Sequence, residues 1–474
     1  GSYGAKGVTT PVLDKLATEG VRFTDAHASS ATCTPSRYSL LTGEYGFRSQ
    51  AEILPGDAPL LLRTDQATLP AKLSQAGYRT AVVGKWHLGL GIGEVDWNAD
   101  IKPGPLEIGF DYSFLLPATG DRVPTVFLEN HKVVGLEPED PIEVSYAAPV
   151  GDRPIGYLQP ELKRVGADRQ HSETIVNGVS RIGFMGGGYN AEWIDEDFPF
   201  VFNQKSKEFI NSSGDQPFFL FYSFHDIHVP RLPHKQFEGA SEMGPRGDAI
   251  AQMDWAVGDI INELEKKGLK ENTLIIFTSD NGPVLDDGYD DLAAERLGEH
   301  QPSGPFRGGK YSAFEAGARV PMIVFWSGRT RSTESSVLIS QVDLMASLSS
   351  LAGVVLDPSE AVDSMDMLSA LLGQSDKGRE LMFKESVGTK SLRWKSYKYI
   401  APMPEGARIP DWLPPKGIEL GLSSEAQLYD LSADVGEVSN IASDNPEIVA
   451  ALEEELAEIL ARRTAEDREF DTVK

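Results

Sequence analysis

The sequence predicts an α/β fold, with a large, mostly parallel sheet sandwiched by helices and a smaller C-terminal α+β domain that carries an antiparallel sheet. Three observations lead there. The apolar runs Phe218-Phe219-Leu220-Phe221-Tyr222 and Leu274-Ile275-Ile276-Phe277 flank a stretch in which Ile250, Met253, Val257, Ile260, Ile261 and Leu264 recur at helical spacing as far as Gly268. Continuous apolar strands joined through a helix belong to a sheet covered on both faces. The runs end in polar loops, and parallel sheets collect their ligands at the carboxyl ends of the strands. After about Leu372 the composition changes, with Gly373-Gln374-Ser375-Asp376-Lys377-Gly378 as a linker. This predicts domains at 1–372 and 373–474.

The elements follow in chain order. Thr10-Pro11, then Leu13, Leu16 and Ala17 before Gly20, predicts a short helix opened by a cap and Pro at its first position. Val21–Phe23 follows as a brief strand, and Tyr38–Gly43 continues a helix entered just after Cys33. The run Tyr78–Val83 is a strand that leads into Gly84-Lys85-Trp86-His87-Leu88-Gly89. From Asp111 to about Asp195 Gly and Pro are frequent without periodicity, so loops around a rim are expected. Val320–Trp326 is a strand and Val342–Leu351 a helix stopped at Gly353. In the C-terminal part, Lys395–Ile400 is a strand candidate. A terminal helix presents Ile448, Val449, Leu452, Leu456, Ile459 and Leu460 on one face.

Composition narrows the function. The chain has 474 residues, 41% of them hydrophobic, and its 44 Lys and Arg against 71 Asp and Glu leave a formal charge of −27. That charge argues against sequence-independent binding to nucleic acid or anionic lipid, so any anionic ligand needs a local positive pocket. One cysteine, Cys33, excludes an intramolecular disulfide and a Cys-rich zinc site. No apolar run approaches the roughly 18 residues of a membrane helix, and no membrane partner is expected.

Cys33 precedes a helix, where free backbone N–H groups and the positive end of the dipole suit a nucleophile that must meet an anion. Cys33-Thr34-Pro35-Ser36-Arg37, with Leu41-Thr42-Gly43 after it, resembles the signature of the type I sulfatases of the alkaline phosphatase superfamily. Thr10–Leu16, Gly84–Gly89, His228-Val229-Pro230, Ser279-Asp280-Asn281-Gly282, Gly308-Gly309-Lys310, Arg319-Val320-Pro321 and Leu428–Leu431 match in the family's order. The resemblance implies that a maturation enzyme converts Cys33 to formylglycine. Its hydrate would offer one hydroxyl to attack sulfur and a second whose deprotonation expels sulfate. It implies that Arg37 holds this group, Lys85 and Lys310 contact sulfate, His87 takes the second hydroxyl's proton, and His228 donates to the leaving alcohol. Asp280-Asn281 offers hard oxygen ligands to Ca²⁺ or Mg²⁺.

His225 and His234 lack a matching family position and are expected at the rim or in the framework. His171 and Arg181 fall in an insertion that could shape the substrate site, and His300 lies shortly before Lys310. His171, Arg181, His225 and His300 are thus the candidate substrate-binding residues. The family's Asp-Asp metal pair, on a strand ahead of the position of Gly1-Ser2-Tyr3-Gly4, is absent from this sequence. The natural protein is expected to carry that pair together with an export signal. Glu315-Ala316-Gly317 stands where Glu-Gly-Gly is common. The expected function is hydrolysis of sulfate esters on saccharides or aryl groups by a periplasmic or secreted enzyme. The alternatives are an inactive remnant that binds sulfated glycans, and a phosphatase or phosphonate hydrolase of the same superfamily.

Overall fold

The computed structural model describes residues 1–462. Helix α1, Pro11–Glu19, has Pro at its first position, Gly20 beyond its end, and Leu13, Leu16 and Ala17 on its buried face. Strand β1, Val21–Phe23, follows, and helix α2, Cys33–Thr42, begins on the cysteine itself and stops at left-handed Gly43. Strands β2, Arg79–Lys85, and β3, Tyr112–Leu116, lie parallel in register from Ala81 opposite Tyr112 to Lys85 opposite Leu116. Helix α3, Phe198–Ser212, leads to strand β4, Phe218–Ser223, which runs parallel to β2 with Gly84 opposite Ser223. Helix α4, Pro245–Lys266, leads to strand β5, Ile275–Thr278.

The strands form two principal sheets in the N-terminal part. One runs β4, β2, β3 and then Leu128–Glu129 and Lys132–Val133, the last two antiparallel. The other places β5, strand β6 at Met322–Phe325, β1 and Thr333–Ser335 side by side, with β6 antiparallel to both neighbours. The two apolar runs that flank α4 therefore sit on different sheets. Both are edge strands, and both line one cavity of about 1210 Å³. This is why β4 and β5 are half-buried along most of their length, although their composition is that of fully covered strands.

Two elements lie outside the expectation. Helix α3 buries Phe198, Phe202, Phe209 and Ile210, a helical stripe with Pro199 in its first turn. β3 falls inside the stretch expected to be loops: only five residues long, it is too short for periodicity to mark. The rest of that stretch holds short pairs such as Glu143–Ser145 with Phe184–Gly186.

In the C-terminal part, strands β7 at Leu381–Ser386, β8 at Thr389–Trp394, β9 at Tyr397–Ile400 and β10 at Gln427–Asp430 form a consecutive antiparallel sheet. The terminal helix, Pro446–Ala461, buries Leu452, Leu456 and Ile459 in one core with Phe383, Tyr399 and the N-terminal residues Tyr45 and Val342. The sheet edge also meets the segment leading to Cys33, for Ala31 N–H donates to Glu385 O at 2.8 Å and Glu385 N–H to Ser29 O at 2.9 Å.

Candidate active site around Cys33

Cys33 opens α2, 3% exposed, at the end of the helix where backbone N–H groups point outward. Lys85 Nζ donates to its Sγ at 3.1 Å, and the thiol donates to Asn281 Oδ1 at 3.2 Å. One turn along, Arg37 ties three strand exits together. Its Nε donates to Asp280 Oδ2 at 2.8 Å, and its Nη1 to Lys85 O at 2.8 Å and Ser223 Oγ at 2.6 Å. Close strand approach is what lets one side chain reach all three. A Cβ on Gly84, whose φ is 109°, would lie 2.0 Å from Ser223 O. At the Asp280-Asn281 turn, a Cβ on Gly282 would lie 1.7 Å from Ala316 O.

The hydrogen bonds assign the tautomers of the two central histidines. His87, at a φ of 56°, places Nε2 at 2.9 Å from Leu54 O, so Nε2 carries the hydrogen. Its Nδ1 is buried with no partner among the described residues and is left as an acceptor beside Cys33. His228 donates from Nδ1 to Val229 O at 2.7 Å, which leaves Nε2 to accept from Lys310 Nζ at 3.3 Å. Burial, reinforced by Arg122 and Lys85, pushes His87 well below the ordinary histidine range. Burial with Lys310 and Lys85 does the same to His228. Both rings are therefore neutral.

Charge alternates around them. Burial disfavours the Asp280 carboxylate, but Lys85, Arg37 and Lys310 outweigh it and hold the group below the usual range. Lys310 is desolvated too, yet Asp287 at 2.7 Å keeps it protonated and well above its ordinary value. Asp287 also accepts from Tyr311 Oη at 2.9 Å. Together with Cys33, His87, His228 and Lys310, the small cavity is lined by Asp121, Arg122, Gln170, His171 and Trp412. Arg122, Asp121, Asp287 and Trp412 escape sequence reasoning because each sits in an irregular loop. Only the pair Asp286-Asp287, shortly after Asp280, offered a signal.

Of the four candidate substrate residues, only His171 lines this cavity, held by Asp168 at 2.7 Å and Asp121 at 3.4 Å. Arg181 is a correction. It is wholly buried, paired with Asp195 at 2.7 Å and donating to Gly120 O, so it supports the loop from behind and reaches no ligand. His225 accepts from Gly120 N–H at 3.0 Å, which ties the same loop to the His228 segment. His300 stands on the large cavity, accepting from Lys6 N–H at 3.3 Å, away from Cys33. His234 accepts from Gln236 N–H at 3.3 Å and serves the framework.

Asp280 and Asn281 fit a hard cation by donor type: Asn281 Oδ1 lies 3.2 Å from Cys33 Sγ, and Asp280 is held nearby by Arg37 and Lys85. They supply two of the six to eight oxygens Ca²⁺ takes. A second group, Asp25, His27 and Glu315, brings three donor atoms within 4.8 Å of one another. Lys384, Lys398, Arg319 and Arg393 already surround it, Lys384 at 2.8 Å from Glu315. A metal ion there would face four cations, so this group is an ion-pair network and no metal site. Cys33 fits maturation to formylglycine: an oxygen in place of Sγ keeps Lys85 as a donor.

A family model described as "Sulfatase" matches residues 1–115 and 167–354. An N-acetylgalactosamine-6-O-sulfatase of Bacteroides thetaiotaomicron is 48% identical over 463 residues, 97% of this chain and 90% of that protein. Arylsulfatase A of Homo sapiens is 30% identical over 96% of this chain and 83% of its own length. A structure solved in work on glycosaminoglycan metabolism by Bacteroides thetaiotaomicron superposes with a TM-score of 0.94 at 48% identity, covering 97% of this chain and 96% of that one. With its α/β fold, its C-terminal antiparallel sheet and these relatives, the chain belongs to the sulfatase family and is a sulfuric ester hydrolase.

Proposed function

We propose that this sulfatase removes the 6-O-sulfate of N-acetylgalactosamine residues in sulfated saccharides, outside the cytoplasm in a periplasmic or secreted setting. The observation that carries the reaction is the nucleophile position at a helix N-terminus, with Lys85 at 3.1 Å and, on the same small cavity, a His87 Nδ1 that has no partner among the described residues. The 48% identity to an N-acetylgalactosamine-6-O-sulfatase supports the sugar and the position. Among the described residues no helix is long and apolar enough to cross a membrane. Residues 1–372 form the catalytic domain in this reading and 373–474 the smaller one.

Matured by a formylglycine-generating enzyme and hydrated, position 33 supplies two hydroxyls on one carbon, one for the sulfur and one whose deprotonation releases sulfate. Asp280 and Asn281 would hold Ca²⁺, with Mg²⁺ the alternative, and the ion would supply positive charge beside the nucleophile. Lys85 and Lys310 neutralise sulfate oxygens in a pocket where burial strengthens each contact. Arg37, whose Nη2 has no acceptor among the described residues, holds the nucleophile side. His87 Nδ1 takes a proton, with its tautomer held by Leu54 O. An entering sulfate favours the charged form of His228, and its Nε2 then holds the proton that the leaving oxygen needs.

The test is sulfate release by protein matured in cells that express the formylglycine-generating enzyme, with mass spectrometry at Cys33. Substrates are N-acetylgalactosamine 6-sulfate and 4-sulfate, N-acetylglucosamine 6-sulfate, an aryl sulfate and a phosphomonoester. Preference for the first is expected. No release from any sulfated saccharide, or faster phosphate release, would overturn the reading.

A further inference from the structure

The sulfate chemistry leaves unused a chain of charged contacts at the wall of the Cys33 cavity. Lys416 Nζ donates to Asp168 at 2.9 Å, and Asp168 holds His171 Nδ1 at 2.7 Å. His171 Nε2 stands 3.4 Å from Asp121, and Arg122 Nη1 donates to both Asp121 oxygens at 2.9 Å. The chain starts in the C-terminal part and ends on one guanidinium. Nη1 also donates to Thr119 Oγ1 at 2.7 Å, so one corner of Arg122 is fixed. Its Nε and Nη2 have no acceptor among the described residues, and the side chain, 12% exposed, lines the cavity.

A fixed guanidinium with a free edge is a fork of parallel donors, suited to two neighbouring oxygens. Asp121 offsets its charge at close range, so neutral hydroxyls fit this edge better than a second anion, which would also face the carboxylate. Trp412 lies on the same cavity with its ring 5.4 Å from that of Tyr311, and it gives a flat apolar surface to a ligand with one apolar face. Tyr311 is itself anchored on Asp287.

We propose that Arg122 determines specificity by donating through Nε and Nη2 to the vicinal O3 and O4 hydroxyls of the sugar, while the pyranose ring lies against Trp412. O4 is the hydroxyl nearest a sulfated C6 arm, so a fork beside the sulfate pocket meets it first. The inference rests on the reading of the substrate as a 6-sulfated saccharide. An aryl sulfate lacks both hydroxyls and gains nothing from the fork.

The experiment measures kcat and KM of matured wild type, Arg122→Gln, Arg122→Lys and Trp412→Ala on 6-sulfated N-acetylgalactosamine, on its 3-deoxy and 4-deoxy analogues, and on an aryl sulfate. Circular dichroism checks that each variant is folded. Wild type is expected to lose about 10- to 100-fold in kcat/KM on the 4-deoxy analogue, the size of a hydrogen bond to a charged group. In Arg122→Gln the parent sugar falls by a similar factor, mainly through KM, the 4-deoxy penalty disappears, and the saccharide-to-aryl preference drops about as far. Trp412→Ala lowers the same preference. Wild type that treats the deoxy analogues as it treats the parent sugar would overturn the proposal without any variant. So would an Arg122→Gln enzyme that keeps the deoxy penalty. If wild type turns over no sulfated saccharide at all, the substrate reading fails, which is a separate outcome.

Discussion

Glu315→Gln removes one negative charge from a site with no solvent to replace it. Glu315 is 0% exposed and accepts from Lys384 Nζ at 2.8 Å and Lys398 Nζ at 3.2 Å, with Arg393 at 3.5 Å and Arg319 at 3.6 Å. Asp25, at 3.2 Å from Arg319, is a second carboxylate that answers these cations, and buried Glu437 faces Lys398 and Lys384. Taking away one partner of a buried ion pair costs about 3–5 kcal/mol, and the lower end is expected here because burial already pushes Lys384 down to about 7, so it can shed its proton once Glu315 is gone. At about 2.1 cal/mol/K per residue, the entropy of unfolding for a chain of this length is roughly 1 kcal/mol/K, so the melting temperature should fall by about 3–5 °C. Differential scanning calorimetry at pH 7.5 reads the shift directly. The double variant Glu315→Gln with Lys384→Met should recover part of the loss, since it removes both members of the closest pair. A Glu315→Gln protein that melts within about 1 °C of wild type would refute the argument, and so would a double variant whose losses simply add.

The same network sets a pH dependence. Burial and then Lys384 push His27 down to about 4, against about 6.5 in the unfolded chain. The unfolded state therefore binds the extra proton first, and stability present above pH 6.5 is lost as pH falls toward 4, by up to about 3 kcal/mol. Melting curves from pH 7 to pH 4 should show this slope, and His27→Gln should flatten it. Gly282→Ala forces a methyl to within 1.7 Å of Ala316 O, so the Asp280-Asn281 turn must shift. A displacement of this size should cost about 100-fold in kcat with an unchanged far-ultraviolet spectrum. His87→Gln removes the free Nδ1 acceptor and should cost about 10²- to 10⁴-fold in kcat. In the wild type, the acid limb of kcat/KM should lie below pH 6.5, because burial depresses His87.

What was legible in the sequence is what sits at the exits of strands. Lys85, His87, His228 and Asp280 each follow an apolar run, so a reading of strands alone gathers them at one end of a sheet. Cys33 and Arg37 share one helical turn, and that spacing places them together. The rest depended on contacts between loops. Arg181 and His171 are ten residues apart in one insertion, yet one is sealed behind Gly120 and the other reaches the cavity. That difference arises from Asp195 and Asp121, which no periodicity connects to them. Strand pairing was also beyond the pattern: β4 and β5 have the composition of neighbours, but a sheet edge is a property of register and space that one strand's residues do not encode.

A charge of −27 and an anionic substrate are reconciled by where neutralisation happens. Inside the site each carboxylate has a specific cation: Asp280 has Arg37 at 2.8 Å, Asp287 has Lys310 at 2.7 Å, and Asp121 has Arg122 at 2.9 Å. Lys85 lies 3.5 Å from Asp280, farther than Arg37, and donates to Cys33, so its charge is the least committed of the four. In the proposed reading, a sulfate ester entering beside Cys33 meets Lys85 directly and competes with Asp287 for Lys310. Lys310 stays charged against the sulfate, and the anion's field favours a proton taken from solvent on His228 Nε2, 3.3 Å from Lys310 Nζ, where the leaving oxygen needs one. Binding the anion and readying the acid are then one electrostatic event. Asp287→Asn should weaken that coupling: sulfate itself should bind more tightly by calorimetry, while kcat on an ester with a poor leaving group falls further than kcat on an aryl sulfate. Equal losses on both esters would show that Asp287 only holds Lys310 in place.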